Sequence, residues 1–194
     1  AGEIIPRIMS SEGGDKEIDI PCDCPSCGSD LEFDDTYLVC VNDECPAKRA
    51  KLISHFFSAL GVKGFGIKTS EKFDFSPAEI VKLPYETYCS IIGSTVGKKL
   101  FDQVSSLQSG VAQEDLLYAM CIPSVGKNTA KNLPPVAEWP QAITDSMLGE
   151  ATKAKILLWY STVFEDLWSG KWPLPIKQIT KATITKATGI KVCV

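Results

Sequence analysis

One histidine, His55, stands in 194 residues. That leaves little from which to build a histidine-based catalytic site or a histidine-rich metal centre. No stretch approaches the roughly 20 apolar residues that a bilayer-spanning helix needs. Residues 1–8 carry no basic region followed by a long apolar run, so no export signal is read there. The expected setting is a reducing cytoplasm, where thiolates survive and disulfides do not. A broad basic field is missing too. Net charge is −4. Residues 1–46 hold two basic and 12 acidic side chains, a net −10, and residues 47–194 hold 18 basic and 12 acidic, a net +6. Four of those lysines (Lys177, Lys181, Lys186, Lys191) lie in an acid-free tail, which leaves residues 47–176 at only +2. Any nucleic-acid contact must therefore rest on local geometry more than on long-range attraction.

Cysteine is plentiful where histidine is not. Cys24-Pro25-Ser26-Cys27-Gly28 and Cys40-Val41-Asn42-Asp43-Glu44-Cys45 form a C-x2-C and a C-x4-C pair, separated by 12 residues. Four thiolates at this spacing can close around one Zn²⁺ with Zn–S distances of about 2.3 Å. Pro25 stiffens the first turn and Gly28 permits the left-handed backbone after it. Cys22 offers an alternative C-x4-C with Cys27, but the complete Cys-Pro-x-Cys-Gly turn is built around Cys24. Cys89, Cys121 and Cys193 are scattered and read as small core residues. His55 lies in the apolar stretch Ile53 to Phe57 and reads as a packed or hydrogen-bonded residue, since a fourth ligand already exists. A four-thiolate site leaves no position for water, so the metal is expected to be structural.

From residue 47 the pattern becomes helical, with Ile53, Phe56 and Phe57 on one face. Glycines then recur as punctuation. Gly64-Phe65-Gly66 precedes Lys68 and Thr69. Gly93-Ser94-Thr95-Val96-Gly97 precedes Lys98 and Lys99. Ser124-Val125-Gly126 precedes Lys127, Asn128 and Thr129. Met147-Leu148-Gly149 precedes Glu150. The second glycines fall at 66, 97, 126 and 149, an internal repeat of helix, tight turn and helix. The apolar residue of each turn is expected to tuck inward. The first N–H groups of the following helix then point outward, where the helix dipole favours an anion such as phosphate. The bland reading makes each glycine an ordinary helix connector; recurrence with following lysines favours helix-hairpin-helix units. Thr95 and Met147 replace the first glycine and Glu150 opposes phosphate, so the second and fourth units are expected to be mainly structural.

The expected fold is mainly α: a four-cysteine zinc finger over residues 21–46, then a helical domain of four helix-hairpin-helix motifs over 47–172. Short β segments are expected at both ends. Residues 1–20 read as the end of a preceding segment plus a linker, 173–188 as a linker, and 189–194 as the start of a strand. Both ends read as joined to something larger.

With these residues in view, the chain resembles the zinc-finger and helix-hairpin-helix region of bacterial and phage NAD-dependent DNA ligases. The resemblance runs from Ala1 to about Trp172. Ala1-Gly2-Glu3-Ile4-Ile5-Pro6 is similar to the end of the ligase OB-fold domain. The two cysteine turns, Ile53-Ser54-His55-Phe56, Gly64-Phe65-Gly66 and Met120 to Ala130 look like the finger and hairpins that follow it. Gly189 to Val194 is similar to the first strand of the closing BRCT domain. The family seals nicks in duplex DNA during replication and repair. A lysine in a Lys-x-Asp-Gly motif takes AMP from NAD and passes it to the 5′ phosphate. No Lys-x-Asp-Gly occurs in these 194 residues, so the resemblance implies an inactive DNA-gripping portion. It would act with an adenylation and OB-fold part, on the same polypeptide or a separate subunit, in a bacterial cell or phage-infected host. The implied contacts are Gly64, Phe65, Gly66, Lys68, Thr69, Gly97, Lys98, Lys99, Ser124, Val125, Gly126, Lys127, Asn128 and Thr129. Rival readings are a stand-alone zinc and hairpin module, a helix-hairpin-helix DNA glycosylase, and a protein-docking module using the acidic 1–46 face. The loop Leu133-Pro134-Pro135-Val136 lacks the aspartate pattern a glycosylase needs.

Overall fold

The computed structural model describes residues 9–10, 12–14, 19–168 and 170–177. The strands expected within 1–8 and 189–194, and Cys193, lie outside the described residues. The chain divides into two units, Ala1–Cys45 and Pro46–Val194.

The first unit is a small antiparallel hairpin beside two cysteine loops. Strands β1 (Leu31–Asp34) and β2 (Tyr37–Cys40) pair with Leu31 opposite Cys40 and Asp34 opposite Tyr37. A short bridge joins Asp23 to Asp30, and the Leu31 N–H donates to the Cys22 carbonyl at 2.7 Å. Phe33 and Tyr37 are exposed, so this unit has almost no apolar core. A unit this size needs a further staple, a role that a bound metal can fill.

The second unit is helical. Its first helix, α1 (Pro46–Ala59), starts at Pro46, one residue earlier than the sequence pattern implies. Proline suits that first position because its missing N–H would be unpaired there anyway. The helix buries Ala50, Ile53, Phe56 and Phe57. There follow α2 (Ile67–Ser70), α3 (Pro77–Ile80), α4 (Tyr85–Ile92), α5 (Ser94–Ser106) and α6 (Gln113–Ala119). The last four are α7 (Lys127–Lys131), α8 (Gln141–Thr144), α9 (Glu150–Ser161) and α10 (Val163–Trp168). Among successive helices, α1/α2, α4/α5, α6/α7, α8/α9 and α9/α10 pack against each other.

One apolar core runs through the unit. Aromatic rings link the first two hairpins: Phe57 stacks on Phe65 at 4.0 Å, and Phe73, Tyr88 and Phe101 continue the row at 5.4–5.7 Å. The fully buried Tyr88 hydroxyl donates to the Ile80 carbonyl at 2.7 Å, which satisfies its one donor. Burial pushes its phenol far above the usual tyrosine range. Helix α1 packs against α6, where His55 Nε2 lies 3.0 Å from the Tyr118 carbonyl oxygen and the two rings meet edge-on at 5.0 Å. The lone histidine is thus a half-buried contact between the first and third hairpins.

Two departures from the sequence reading have clear causes. Residues 174–177 are not a free linker. Leu174 is buried, and the Val111 N–H donates to the Pro175 carbonyl while the Lys177 N–H donates to that of Val111. The second hairpin is also phased differently. Its turn is Gly93 alone, at φ +85°, and α5 has begun before Gly97. Val96 therefore sits on the first turn of α5 and is exposed rather than tucked inward.

Candidate metal centre and nucleic-acid interface

The sulfurs of Cys24, Cys27, Cys40 and Cys45 all lie within 4.8 Å of one another. Local structure puts them there. The Gly28 N–H donates to the Cys24 carbonyl at 2.8 Å, with Gly28 at φ +70°, and so folds the first loop. In the second loop the Asn42 side chain accepts from the Glu44 N–H at 2.9 Å, and its carbonyl accepts from the Cys45 N–H. Strand β2 supplies Cys40 and its register with β1 fixes the height. Two sulfur pairs stand at 3.9 Å (Cys24–Cys45) and 3.5 Å (Cys27–Cys40). A tetrahedron with Zn–S of about 2.3 Å has edges of about 3.8 Å, so the donor set fits a tetrahedral thiolate metal. Cys22 is exposed and outside this cluster.

The thiols are unevenly poised. Hydrogen bonding by the Ser29 side chain and backbone pulls Cys27 down to about 6, whereas burial pushes Cys40 up to about 12. Four adjacent sulfurs cannot all ionise on their own, and a divalent cation removes that conflict by favouring every thiolate at once.

In the helical unit the first and third turns are near copies. Residues 61–70 and 121–130 carry the same order of exposed, half-buried and buried positions. Phe65 and Val125 are both buried. Gly61 and Gly64 take positive φ, and so do Cys121 (+54°) and Ser124 (+63°) at the matching places. Gly66 and Gly126 then cap α2 and α7 in extended conformation, with no side chain bonded to either helix start. The first intrahelical donors are Thr69 and Ser70 in α2 and Ala130 in α7. The preceding N–H groups are those a helix start leaves for outside partners.

Gly66 and Gly126 have φ of −73° and −80°, which any residue adopts, and a Cβ on either would meet nothing within 4 Å. Neither backbone conformation nor internal packing calls for glycine there. What a bare Cα provides is close access to the helix start. Lys68, Lys127 and Asn128 are exposed beside these starts, and Thr69 and Thr129 are half-buried. Lys127 Nζ stands 3.7 Å from an Asp115 carboxylate oxygen, both groups partly exposed.

The other two turns differ. A Cβ on Gly97 would lie 2.9 Å from the backbone of Tyr88 and Cys89. This buried glycine is where α4 and α5 touch, so helix packing by itself accounts for glycine at this position. Lys98 and Lys99 are exposed, but a full turn into α5. In the fourth unit Met147 is fully exposed and Glu150 pairs with Lys153 at 3.0 Å, an acidic helix start unsuited to an anion. Sequence reasoning misses Gln103, whose amide bonds the backbone of Lys63 from α5. No local pattern marks a partner 40 residues away.

No protein-family model matches the chain. Among curated proteins, the DNA ligase of Clostridium perfringens is 33% identical over 147 residues, which is 69% of this chain and 22% of that protein. The DNA ligase of Haloarcula marismortui is 31% identical over 145 residues, again 69% of this chain and 21% of the relative. That of Desulfotalea psychrophila is 47% identical over 70 residues, 34% of this chain and 10% of the relative. This chain is similar to part of a DNA ligase. It spans between a tenth and about a fifth of the length of these ligases. Among the described residues, no helix is long and apolar enough to cross a membrane.

Proposed function

We propose that this chain is the DNA-binding portion of an NAD-dependent DNA ligase, gripping the duplex backbone on both sides of a nick. The observation that carries the reading is the pair of exposed glycine caps, Gly66 and Gly126, at positions where the fold itself does not ask for glycine. They lie in matching turns, within a chain that aligns with DNA ligases over 69% of its length. Backbone N–H groups at such starts, with Lys68 and Lys127 beside them, hold phosphate without reading bases. The four-thiolate metal, read as zinc, holds the first unit together and leaves no open position for chemistry. NAD enters through an adenylation part elsewhere, and sealing requires that part.

The test is duplex binding, nicked and intact, in scrambled sequences over a salt series. Lys68→Ala and Lys127→Ala should each lower the log–log salt slope by about 0.9. Gly126→Val should keep the fold, because its Cβ has open space, yet lose affinity because the side chain covers the N–H groups. Unchanged binding in all three variants would make these turns mere helix connectors. Adding the metal-loaded chain to an isolated ligase adenylation domain should raise nick sealing, and Gly126→Val should reduce that gain.

A further inference from the structure

The first turn is built to be loose. Three of its six residues, Gly61, Gly64 and Gly66, are glycines. The third turn has one glycine, and Pro123 stands where the first has Lys63. Proline fixes its own φ and limits its neighbour, so the third turn is stiffened by its own sequence. The first has no such residue, and its rigidity comes from outside.

We infer that Gln103 is a positioning residue for the first DNA-binding turn, holding it in binding geometry through a two-way backbone clasp. The inference rests on the DNA-binding reading above. Gln103 Oε1 accepts from the Lys63 N–H at 2.9 Å, and Gln103 Nε2 donates to the Lys63 carbonyl at 3.0 Å. The second proton of Nε2 goes to the Lys99 carbonyl on the same helix at 3.1 Å. Both amide protons and one acceptor site are thus used, and only this orientation of the amide satisfies both Lys63 groups. Leu100, one turn earlier on α5, abuts the next residue: a Cβ on Gly64 would lie 2.9 Å from Leu100 Cδ2. Helix α5 therefore fixes the middle of the turn, while the Phe65–Phe57 stack and the Val62 N–H to Phe57 carbonyl bond fix its base. A loose turn spends part of its time in conformations that cannot meet phosphate, and apparent affinity falls by that fraction.

Gln103→Met keeps side-chain length and helix propensity and removes only the amide. In the metal-loaded chain, amide exchange at Lys63 should accelerate while Val62 and Ser70, bonded within the hairpin, stay protected. Duplex affinity should fall about 3- to 10-fold, the scale of one or two neutral hydrogen bonds, with the salt slope unchanged because no phosphate contact is removed. In a double-mutant cycle the loss should shrink in a Lys68→Ala background and add independently to Lys127→Ala. Unchanged Lys63 exchange would remove the clasp. Unchanged affinity, or full additivity with Lys68→Ala, would show a clasp that does not position the turn. If the wild-type chain binds no duplex, the DNA reading fails while the exchange data still report the clasp.

Discussion

Gly97→Ala separates two readings of one glycine by sign. In an exposed helix interior this change gains roughly 1 kcal/mol, because alanine is the better helix former. Here the new Cβ would sit 2.9 Å from Cys89 Cα, Cys89 N and Tyr88 C. All three are backbone atoms, so no side chain can swing away; α4 itself must shift by several tenths of an ångström. Overpacking of this kind costs about 1–3 kcal/mol. Three backbone contacts at this distance put the cost in the upper part of that range, about 2–3 kcal/mol, so after the propensity gain a net loss of about 1–2 kcal/mol is expected. For a unit of this size that lowers Tm by about 3–8 °C. The assay is thermal unfolding of the metal-loaded chain followed by circular dichroism, with duplex binding measured well below the transition. Affinity there should stay near wild type, since Gly97 is buried between helices. An unchanged or raised Tm would refute the close α4–α5 contact. An unchanged Tm with lost duplex affinity would restore Gly97 to a phosphate turn.

Two further outcomes follow from local geometry. Cys24→Ser should lose bound metal and loosen residues 21–45, while Cys22→Ser should keep one metal per chain, as read by metal analysis of the purified proteins; full metal in Cys24→Ser would move the ligand to Cys22. At the start of α3, Ser76 accepts from the Glu79 N–H, and the Glu79 carboxylate accepts from the Ser76 N–H at 2.7 Å. Ser76→Ala should cost about 1 kcal/mol at neutral pH. Hydrogen bonds from the Ser76 backbone and side chain hold the Glu79 carboxyl below its usual range, so this stabilisation is present above the ordinary carboxylate pKa and is lost as pH falls through the lowered one. The gap between wild type and Ser76→Ala in chemical denaturation should narrow on acidification; a pH-independent gap would exclude the charged cap.

What is legible in the sequence is local. The metal set can be read because a C-x2-C turn and a C-x4-C loop each bring two sulfurs to one point without help from distant residues. The first and third turns can be read because a small residue, a buried apolar residue and a glycine recur in order. The second turn misleads because Thr95-Val96-Gly97-Lys98 looks like Ser124-Val125-Gly126-Lys127. What separates them is the backbone of Tyr88 and Cys89, which claims Gly97 for helix contact and leaves the turn to Gly93. Pro173 and Pro175 suggest a linker for the same reason: the strap they belong to is held by Val111, far back along the chain. Helix α3 is within reach, since Ser76-Pro77-Ala78-Glu79 is a capping box with proline at the first helical position.

The charge distribution explains why so much rests on turn geometry. At 0.15 M salt the screening length is about 8 Å, so acidic groups farther than that from a turn hardly affect a phosphate bound there. Asp115 stands 3.7 Å from the Lys127 ammonium. An exposed pair of this kind is worth at most about 1 kcal/mol, less than a charge-assisted hydrogen bond from lysine to phosphate, at about 1.5–3 kcal/mol. A phosphate can therefore displace it. Position 55, where the first turn's unit matches Asp115, holds His55, turned toward Tyr118. In the same match Lys127 corresponds to Ile67, and the exposed Lys68 corresponds to Asn128. The two matching turns thus differ in what holds them. The third has a proline-stiffened turn and a lysine paired with Asp115, while the first has a glycine-rich turn clasped by Gln103. With residues 47–176 at only +2, neither turn can draw on a broad positive field, so in the proposed DNA-binding role the fraction of time each spends correctly shaped would decide its contribution.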